Sequence, residues 1–445
     1  MPPRPLVLVL SLSLALGAAG LGADPPLAGQ PGGLALAGAQ AEAAANSPVL
    51  RRLDDELASA NAQRLLVLAD RLPQVGLKAE HLFDAKYPDL QVVFGGAALA
   101  FPGAFPQDTL DLSLHWTLFN GFRDLGRWRA ANLEQAAAVH ERRRAGDQLA
   151  LQVAVGYYRA LAAAQLKAVA DQDVATLKDH LVLAQASEDS GSSTHVDVLR
   201  IQAQIDEAGA DAEQASDQAD QARLVLAQAM GLSQDARPLD GALPVPDPAL
   251  AVDAWTLDEA QRDDLRALQE RRGALQQQAL AAQGAWWPQV YVFGLNEWYH
   301  YGSFDPLILP TQGLATMDMT GVGATWNLFA GGGDLARQRM AEAQAQASTQ
   351  ALASSRLQAE RDFADWKHRY HYSVRLFQAR QRSVEEYQES VRLAQLGFKA
   401  GTQTSTEVLD AETDLFRAKA GLVQAQADAA EALLQLKLAR GRGAD

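Results

Sequence analysis

His368 and His371 lie three residues apart, a spacing that sets two imidazoles on one face of a helix, where they could share a metal ion. No carboxylate and histidine set nearby completes such a site, and a solvated or packed helix face is the simpler expectation. Gly331, Gly332 and Gly333 follow an extended segment and open a helical one, as a phosphate loop does. That loop needs a following Lys-Ser/Thr, which is missing, and the matching residues one repeat earlier are Gly121, Phe122 and Arg123, so a strand-to-helix junction is expected instead. Asp54, Asp55 and Glu56, and Asp263 with Asp264, read as solvated helix surface. With no cysteine in the chain, thiol catalysis, thiolate metal centres and disulfides are excluded, as is a lipid on an N-terminal cysteine. No catalytic constellation, cofactor or metal is expected, and function has to be sought in the elements themselves.

Hydrophobic residues make up 48% of the 445, but many are alanines interleaved with Gln, Glu, Asp and Arg, good helix formers with little bulk for a thick core. Long, thin helical packing is expected. Lys and Arg number 39 against 54 Asp and Glu, with no long basic run, which argues against a nucleic-acid partner. Arg4, the apolar run Leu6 to Leu16 and the small residues through Ala23 form the pattern of a secretory signal over residues 1–23, so the mature chain is expected to leave the cytoplasm. That run is shorter than the ~20 residues that span a bilayer as a helix. Residues 24–46, rich in Ala, Gly, Pro and Gln, are expected to be a flexible lead-in.

The chain is written twice. From Trp116, WTLFNGFRDLGRWR matches WNLFAGGGDLARQR from Trp326 at eight of fourteen positions, with an offset of 210. Trp116 pairs with Trp326, Phe119 with Phe329, Gly121 with Gly331 and Asp124 with Asp334. The same offset still aligns Gly191, Thr194, Val198 and Leu199 with Gly401, Thr404, Val408 and Leu409. Each inserted residue would rotate the rest of a helix by about 100°, so a gapless repeat of this length implies continuous helices whose faces are fixed by packing. The expected units are a first repeat at 47–237, a proline-rich linker at 238–254 and a second repeat at 255–441.

Between Thr109 and Leu118 the chain alternates strictly, with Leu110, Leu112, Leu114, Trp116 and Leu118 on one face and Thr109, Asp111, Ser113, His115 and Thr117 on the other. This is the pattern of a tilted transmembrane strand, apolar towards lipid and polar towards a lumen. The second copy repeats it through Val322, Ala324, Trp326 and Leu328, and the partner strands are expected at Gln91 to Phe94 and Gln289 to Trp298. Aromatic residues crowd the latter, Trp286, Trp287, Tyr291, Phe293, Trp298, Tyr299 and Tyr301, as in an interfacial belt. One alternating strand alone would suit a soluble sheet with a wet face. The signal, the missing cysteine, the aromatics and the repetition together favour the membrane. Four strands cannot close a barrel, and unpaired edges are not tolerated in lipid, so several chains must contribute.

After each strand pair comes a proline-free, alanine-rich stretch, Gly121 to Gly191 and Gly331 to Gly401. Each ends in a breaker where glycine suits the end of the outgoing helix and Thr194 or Thr404 caps the returning one, with Asp197 or Glu407 three residues on as in a capping box. The return helices run to about Met230 and Arg440, and further helices are expected at Pro48 to Leu72 and Thr256 to Ala285.

The junctions LHWTLFNGF and ATWNLFAGGG and the tip GTQTSTEVLDAETDLFRAK, in this order and doubled, resemble the TolC-type outer-membrane efflux and secretion proteins over nearly all of the mature chain. The resemblance implies an α+β membrane protein: a homotrimer whose four strands per subunit form one twelve-stranded transmembrane β-barrel, continued by a long periplasmic α-helical barrel. It implies an outer-membrane exit duct of a tripartite efflux pump or type I secretion system, in contact with outer-membrane lipid and, at the tips Gly191, Thr194, Gly401 and Thr404, with a periplasmic adaptor coupled to an inner-membrane pump. It also implies a pore gate of acidic residues, matched here by Glu407 and Asp410, which share a helix face and in threefold repetition would make a carboxylate ring attracting cations. Glu407 fits the cap and the ring equally. The family's latch tyrosine and arginine are matched by Phe398 and Gln403 and its acceptor aspartate by Asp197, so the latch must differ. The first copy offers only Asp197 and Arg200 opposite the carboxylate pair, so the gate is expected mainly on the second hairpin. The alternative is a soluble periplasmic coiled-coil adaptor or scaffold.

Overall fold

The computed structural model describes residues 33–83, 90–101, 106–189, 194–301 and 315–441. Two helices dominate, α3 (Arg123–Asp189) and α6 (Gly333–Lys399), each of 67 residues. At 1.5 Å per residue each reaches about 100 Å. The return helices α4 (His195–Ala229) and α7 (Ser405–Arg440) have 35 and 36 residues and flank only about half of that length. The other half is covered by α2 (Pro48–Ala69) and α5 (Asp263–Gln283).

These short helices continue the return helices. Asn46, just before α2, donates its side-chain amide to the Met230 carbonyl that caps α4. At the end of α7, Asp258 N–H donates to the Arg440 carbonyl and the Arg262 guanidinium to that of Ala439, at 3.0 and 3.2 Å. The carbonyls that a helix end leaves open are thereby satisfied by the next element. Each repeat makes one unbroken and one broken column, four columns side by side. The segment Thr256–Arg262, expected to be helical, wraps this helix end instead, with a single 3-10 turn at Glu259–Gln261 capped by Asp258, and α5 starts only at Asp263.

The core is a thin seam of alanines with a few larger side chains. It thickens midway, where Val153, Tyr157, Leu226 and Met230 meet Leu34 and Leu243. This corrects the expectation of a flexible lead-in as far as it concerns Leu36–Asn46, which form helix α1 with Ala39 and Ala43 buried; residues 24–32 lie outside the described residues. Its small side chains let α1 approach α3 closely, and the Tyr157 hydroxyl, shared between the Leu34 and Asp240 carbonyls, ties lead-in and linker together.

One sheet has the order β1 (Gln74–His81), β4 (Pro106–Phe119), β5 (Gln289–Tyr301), β6 (Ala315–Thr325), all antiparallel. The partner of β4 in the first repeat is therefore Gln74–His81 and not Gln91 to Phe94. The latter lies in β2 (Leu90–Phe94), which pairs with β3 (Ala97–Phe101) across Gly95 and Gly96. Both of these glycines have positive φ, as a two-residue type I′ hairpin turn requires, and β2 and β3 form a separate two-stranded sheet. The true partner alternates too, with Val75, Leu77 and Ala79 opposite Leu114, Leu112 and Leu110. Its polar positions carry the Lys78–Glu80 ion pair, 2.6 Å, which makes the segment read as exposed surface.

Two more expectations change. Strand β6 stops at Thr325, so Val322 and Ala324 lie in the sheet while Trp326 and Leu328 lie beyond it. The aromatics of β5 do not form one belt, because successive residues point to opposite faces. Tyr291 and Phe293 share the face of Thr117 and His115, while Trp298 shares that of Leu110. On β6 the residues beside Tyr291 and Phe293 are Gly323 and Gly321, where a Cβ would meet the rings at 2.5 and 2.8 Å. Among the described residues no helix is long and apolar enough to cross a membrane.

Candidate functional site

The two strand-to-helix junctions are built from the same residues and packed differently. Gly121 has φ +68°, and a Cβ there would lie 2.6 Å from the Gly284 carbonyl and 2.8 Å from Trp287 Cβ. Around it Phe119 meets Phe122 and Trp287 edge to face, and Trp116 Nε1 donates to the Arg71 carbonyl at 3.0 Å. In the second repeat Gly331 also has a positive φ, +61°, but nothing lies within 4 Å of its Cβ position. Trp326 and Phe329 are 57% and 83% exposed. The first junction is covered by α5 and the start of β5; the second has no such cover among the described residues. Just below, α2, α3, α5 and α6 line a concavity of about 660 Å³ that carries Asp70, Arg127, Glu134 and the ion-paired Asp334 and Arg337.

At the far end both return helices begin with complete capping boxes. Thr194 Oγ1 accepts from Asp197 N–H and Asp197 accepts from Thr194 N–H at 3.1 Å; Glu407 accepts from Thr404 N–H at 2.7 Å. Gly401 has φ +75° just past α6, while Gly191 lies outside the described residues. The Glu407 carboxylate is thus occupied by its cap, and Asp410, one turn on, is exposed. Asp197 serves its own cap. Gln403 folds back over Gly397, and Phe398 is partly exposed. Replacing Thr404 by valine is expected to remove about 1 kcal/mol of local stability. Amide exchange should quicken in the first turn of α7 and stay unchanged around Leu434.

The contacts that bind the two hairpins bring in two residues that the sequence did not single out, His180 and Glu412, beside Arg200 and Leu409. Arg200 of α4 donates to Thr406 Oγ1 of α7 at 2.6 Å. Leu409 of α7, 2% exposed, packs into the core of the first hairpin with Leu177, Val198 and Ile201. One turn further Glu412, 7% exposed, lies with Oε1 2.8 Å from His180 Nε2 of α3 and 3.0 Å from the donating Gln395 Nε2 of α6. Pairing with Glu412 raises the His180 pKa above its ordinary value, against the opposing effect of burial. A signal was available: at the repeat offset His180 faces Ser390 and Glu412 faces Gln202, so both charged partners are specific to one copy. As for metals, His371 pairs with Asp253 at 3.0 Å, and no cluster of three His, Asp or Glu residues suited to an ion occurs among the described residues.

A model of the outer membrane efflux protein family matches residues 40–232 and 257–442, which takes in both junctions and both hairpins. The chain belongs to that family. No curated protein matches the sequence. Among solved structures the chain is similar to VceC from Vibrio cholerae at 20% identity, covering 92% of this chain and 97% of that one, with a TM-score of 0.75. It is also similar to the open state of the MtrE outer-membrane channel of Neisseria gonorrhoeae at 20% identity, 92% and 89% coverage and a TM-score of 0.72. The outer-membrane channel OprN matches at 21% identity, 92% and 90% coverage and a TM-score of 0.70. These likenesses establish the fold, helical columns with a β-sheet at one end. As a member of the outer membrane efflux family the protein is an outer-membrane exit duct extending into the periplasm. A soluble scaffold, the alternative, is not favoured by a match across both repeats.

Proposed function

We propose that three copies assemble into a passive duct, with twelve strands closing one barrel in the outer membrane and the helical columns continuing it through the periplasm. The observation that carries this is incompleteness. The sheet ends in two open edges, β1 and β6, with an apolar face that runs through Leu110, Leu112 and Leu114, and lipid tolerates neither an open edge nor an unclosed sheet. The second junction points the same way, since among the described residues Gly331 and Phe329 lack the cover that their first-copy mates Gly121 and Phe119 receive from Gly284 and Trp287 of the following repeat. The following repeat, for the second junction, is the next chain.

In this reading the duct performs no catalysis. An inner-membrane pump supplies the cargo, of an efflux or type I secretion system, and a periplasmic adaptor meets the tips around Thr194, Gly401 and Thr404. Glu407 and Asp410 of three chains form stacked carboxylate rings at the entrance, a site for cation attraction. Purified from outer membranes in detergent, the protein is expected to run as a trimer and to give single-channel conductance in planar bilayers. Replacing Glu407 and Asp410 together by alanine should lower the cation preference several-fold, read as a shift of reversal potential in a salt gradient. An unchanged potential would remove both residues from the pore; a monomer without conductance would remove the duct.

A further inference from the structure

Among the described residues, one contact between the two hairpins joins a histidine to a buried carboxylate. His180 and Glu412 sit on helices that belong to different repeats and are separated by 232 residues, and Gln395 of a third helix holds the same carboxylate. The histidine side chain is 21% exposed and that of Glu412 7%. A pair shielded from water to this degree keeps an interaction that an exposed pair loses to screening. Histidine also changes charge in the range of pH that surroundings outside the inner membrane experience.

We propose that the His180–Glu412 contact is a pH-sensitive clasp, which holds the return helix of the second hairpin against the first hairpin in acidic surroundings and releases it as the pH rises. The consequence for transport rests on the duct reading: with α7 docked, Asp410 and the tip stay in the arrangement described above, and release lets the second hairpin swing away. Leu409 and the Arg200–Thr406 bond lie on the tip side of the clasp and are carried with it.

The surrounding charges set the direction. On α3 itself Asp179 adds to the negative field on His180. The neighbouring charged set, two turns along α3, is Asp173 with Asp211 of α4 and Lys419 of α7; Asp173 is held above the usual carboxylate range by burial, by Glu412 and by Asp211, and Lys419 opposes this. From α6 the contact is Gln395, which is uncharged. Apart from Lys419, every charged group named is negative, so protonated His180 is favoured. A histidine whose folded pKa lies above its unfolded value contributes stability that is full below the unfolded value, about 6.5, and is lost as the pH rises through the folded one. Acid tightens the clasp and alkali opens it.

The absence of cysteine makes the test clean, because labels can be placed at Val182→Cys on α3 and Arg417→Cys on α7 without background. In the assembled protein the distance between spin labels at these positions, the titration of His180 followed by exchange of its C2 proton, and the bilayer conductance are measured from about pH 5.5 to about pH 8.5. Expected are a His180 midpoint above that of a free histidine, a longer or broader label distance at high pH, and a conductance roughly two-fold or more above that at low pH. His180→Gln should abolish the pH dependence of distance and conductance, and His180→Arg should keep the clasp shut throughout. A midpoint at or below the ordinary value, or a His180→Gln protein with the wild-type profile, overturns the clasp. Labels that separate with pH in a protein that never conducts would support the clasp and overturn the duct.

Discussion

Arginine in place of Leu114 is expected to reduce the protein recovered from the outer membrane by an order of magnitude or more, while arginine in place of the adjacent Ser113 is tolerated. Leu114 lies mid-strand on the apolar face, between Val75 of β1 and Gly294 of β5. A charged side chain on the lipid face at mid-membrane costs about 2–4 kcal/mol. If three copies form the barrel, the penalty is met three times in each assembly. Ser113 is on the opposite face, where its hydroxyl approaches the Gly76 carbonyl at 3.4 Å and, in the proposed barrel, a long polar side chain has the lumen to enter. The measurement is the amount of each variant in washed outer membranes and the urea concentration that unfolds the detergent-solubilised protein. Equal behaviour of the two variants would mean that the sheet does not face lipid on this side.

Alanine at Gly121 is expected to destabilise the chain by about 3–5 kcal/mol, from two additive causes. The left-handed φ of +68° disfavours any side chain by about 1–2 kcal/mol. The new methyl group would also sit 2.6 Å from the Gly284 carbonyl and 2.9 Å from Gly284 Cα, main-chain atoms that cannot rotate aside. Alanine at Gly331 meets the first cause alone within the chain, about 1–2 kcal/mol, since nothing lies within 4 Å. Thermal unfolding of the two variants should therefore differ by several degrees or more. Should the next chain cover the second junction as α5 covers the first, Gly331→Ala will instead show its larger effect on oligomer yield, which separates folding of the subunit from its assembly.

How much of this was legible beforehand depended on the range of the interactions. The caps at Thr194 and Thr404 are closed within three residues, so the residue types alone specify them. The alternation along β4 specifies its two faces for the same reason, because a period of two is a local property. The missed strand β1 was hidden by its ion-paired Lys78 and Glu80, and the helix α1 by a composition of small residues that only contact with α3 makes helical. The pairing of β4 with β5 joins residues nearly two hundred positions apart and follows from the way the two repeats lie side by side, which no local pattern states.

The sequence by itself determined that there are two copies of one unit, where each long helix starts and turns, and which face of the strands is apolar. Only the tertiary structure decided that β1 closes the first repeat, that the short helices α2 and α5 extend the return helices into full columns, that the second junction lacks the cover of the first among the described residues, and that His180 meets Glu412. The reason is phase. A helix drifts by about 20° per heptad relative to a straight seven-residue seam, roughly half a turn over helices as long as α3 and α6, so which side chains of different hairpins face each other depends on how the helices bend and coil. Equivalent residues of the two repeats consequently meet different neighbours, and one of the contacts that join the hairpins, His180 with Glu412, falls on two residues whose repeat mates carry no charge.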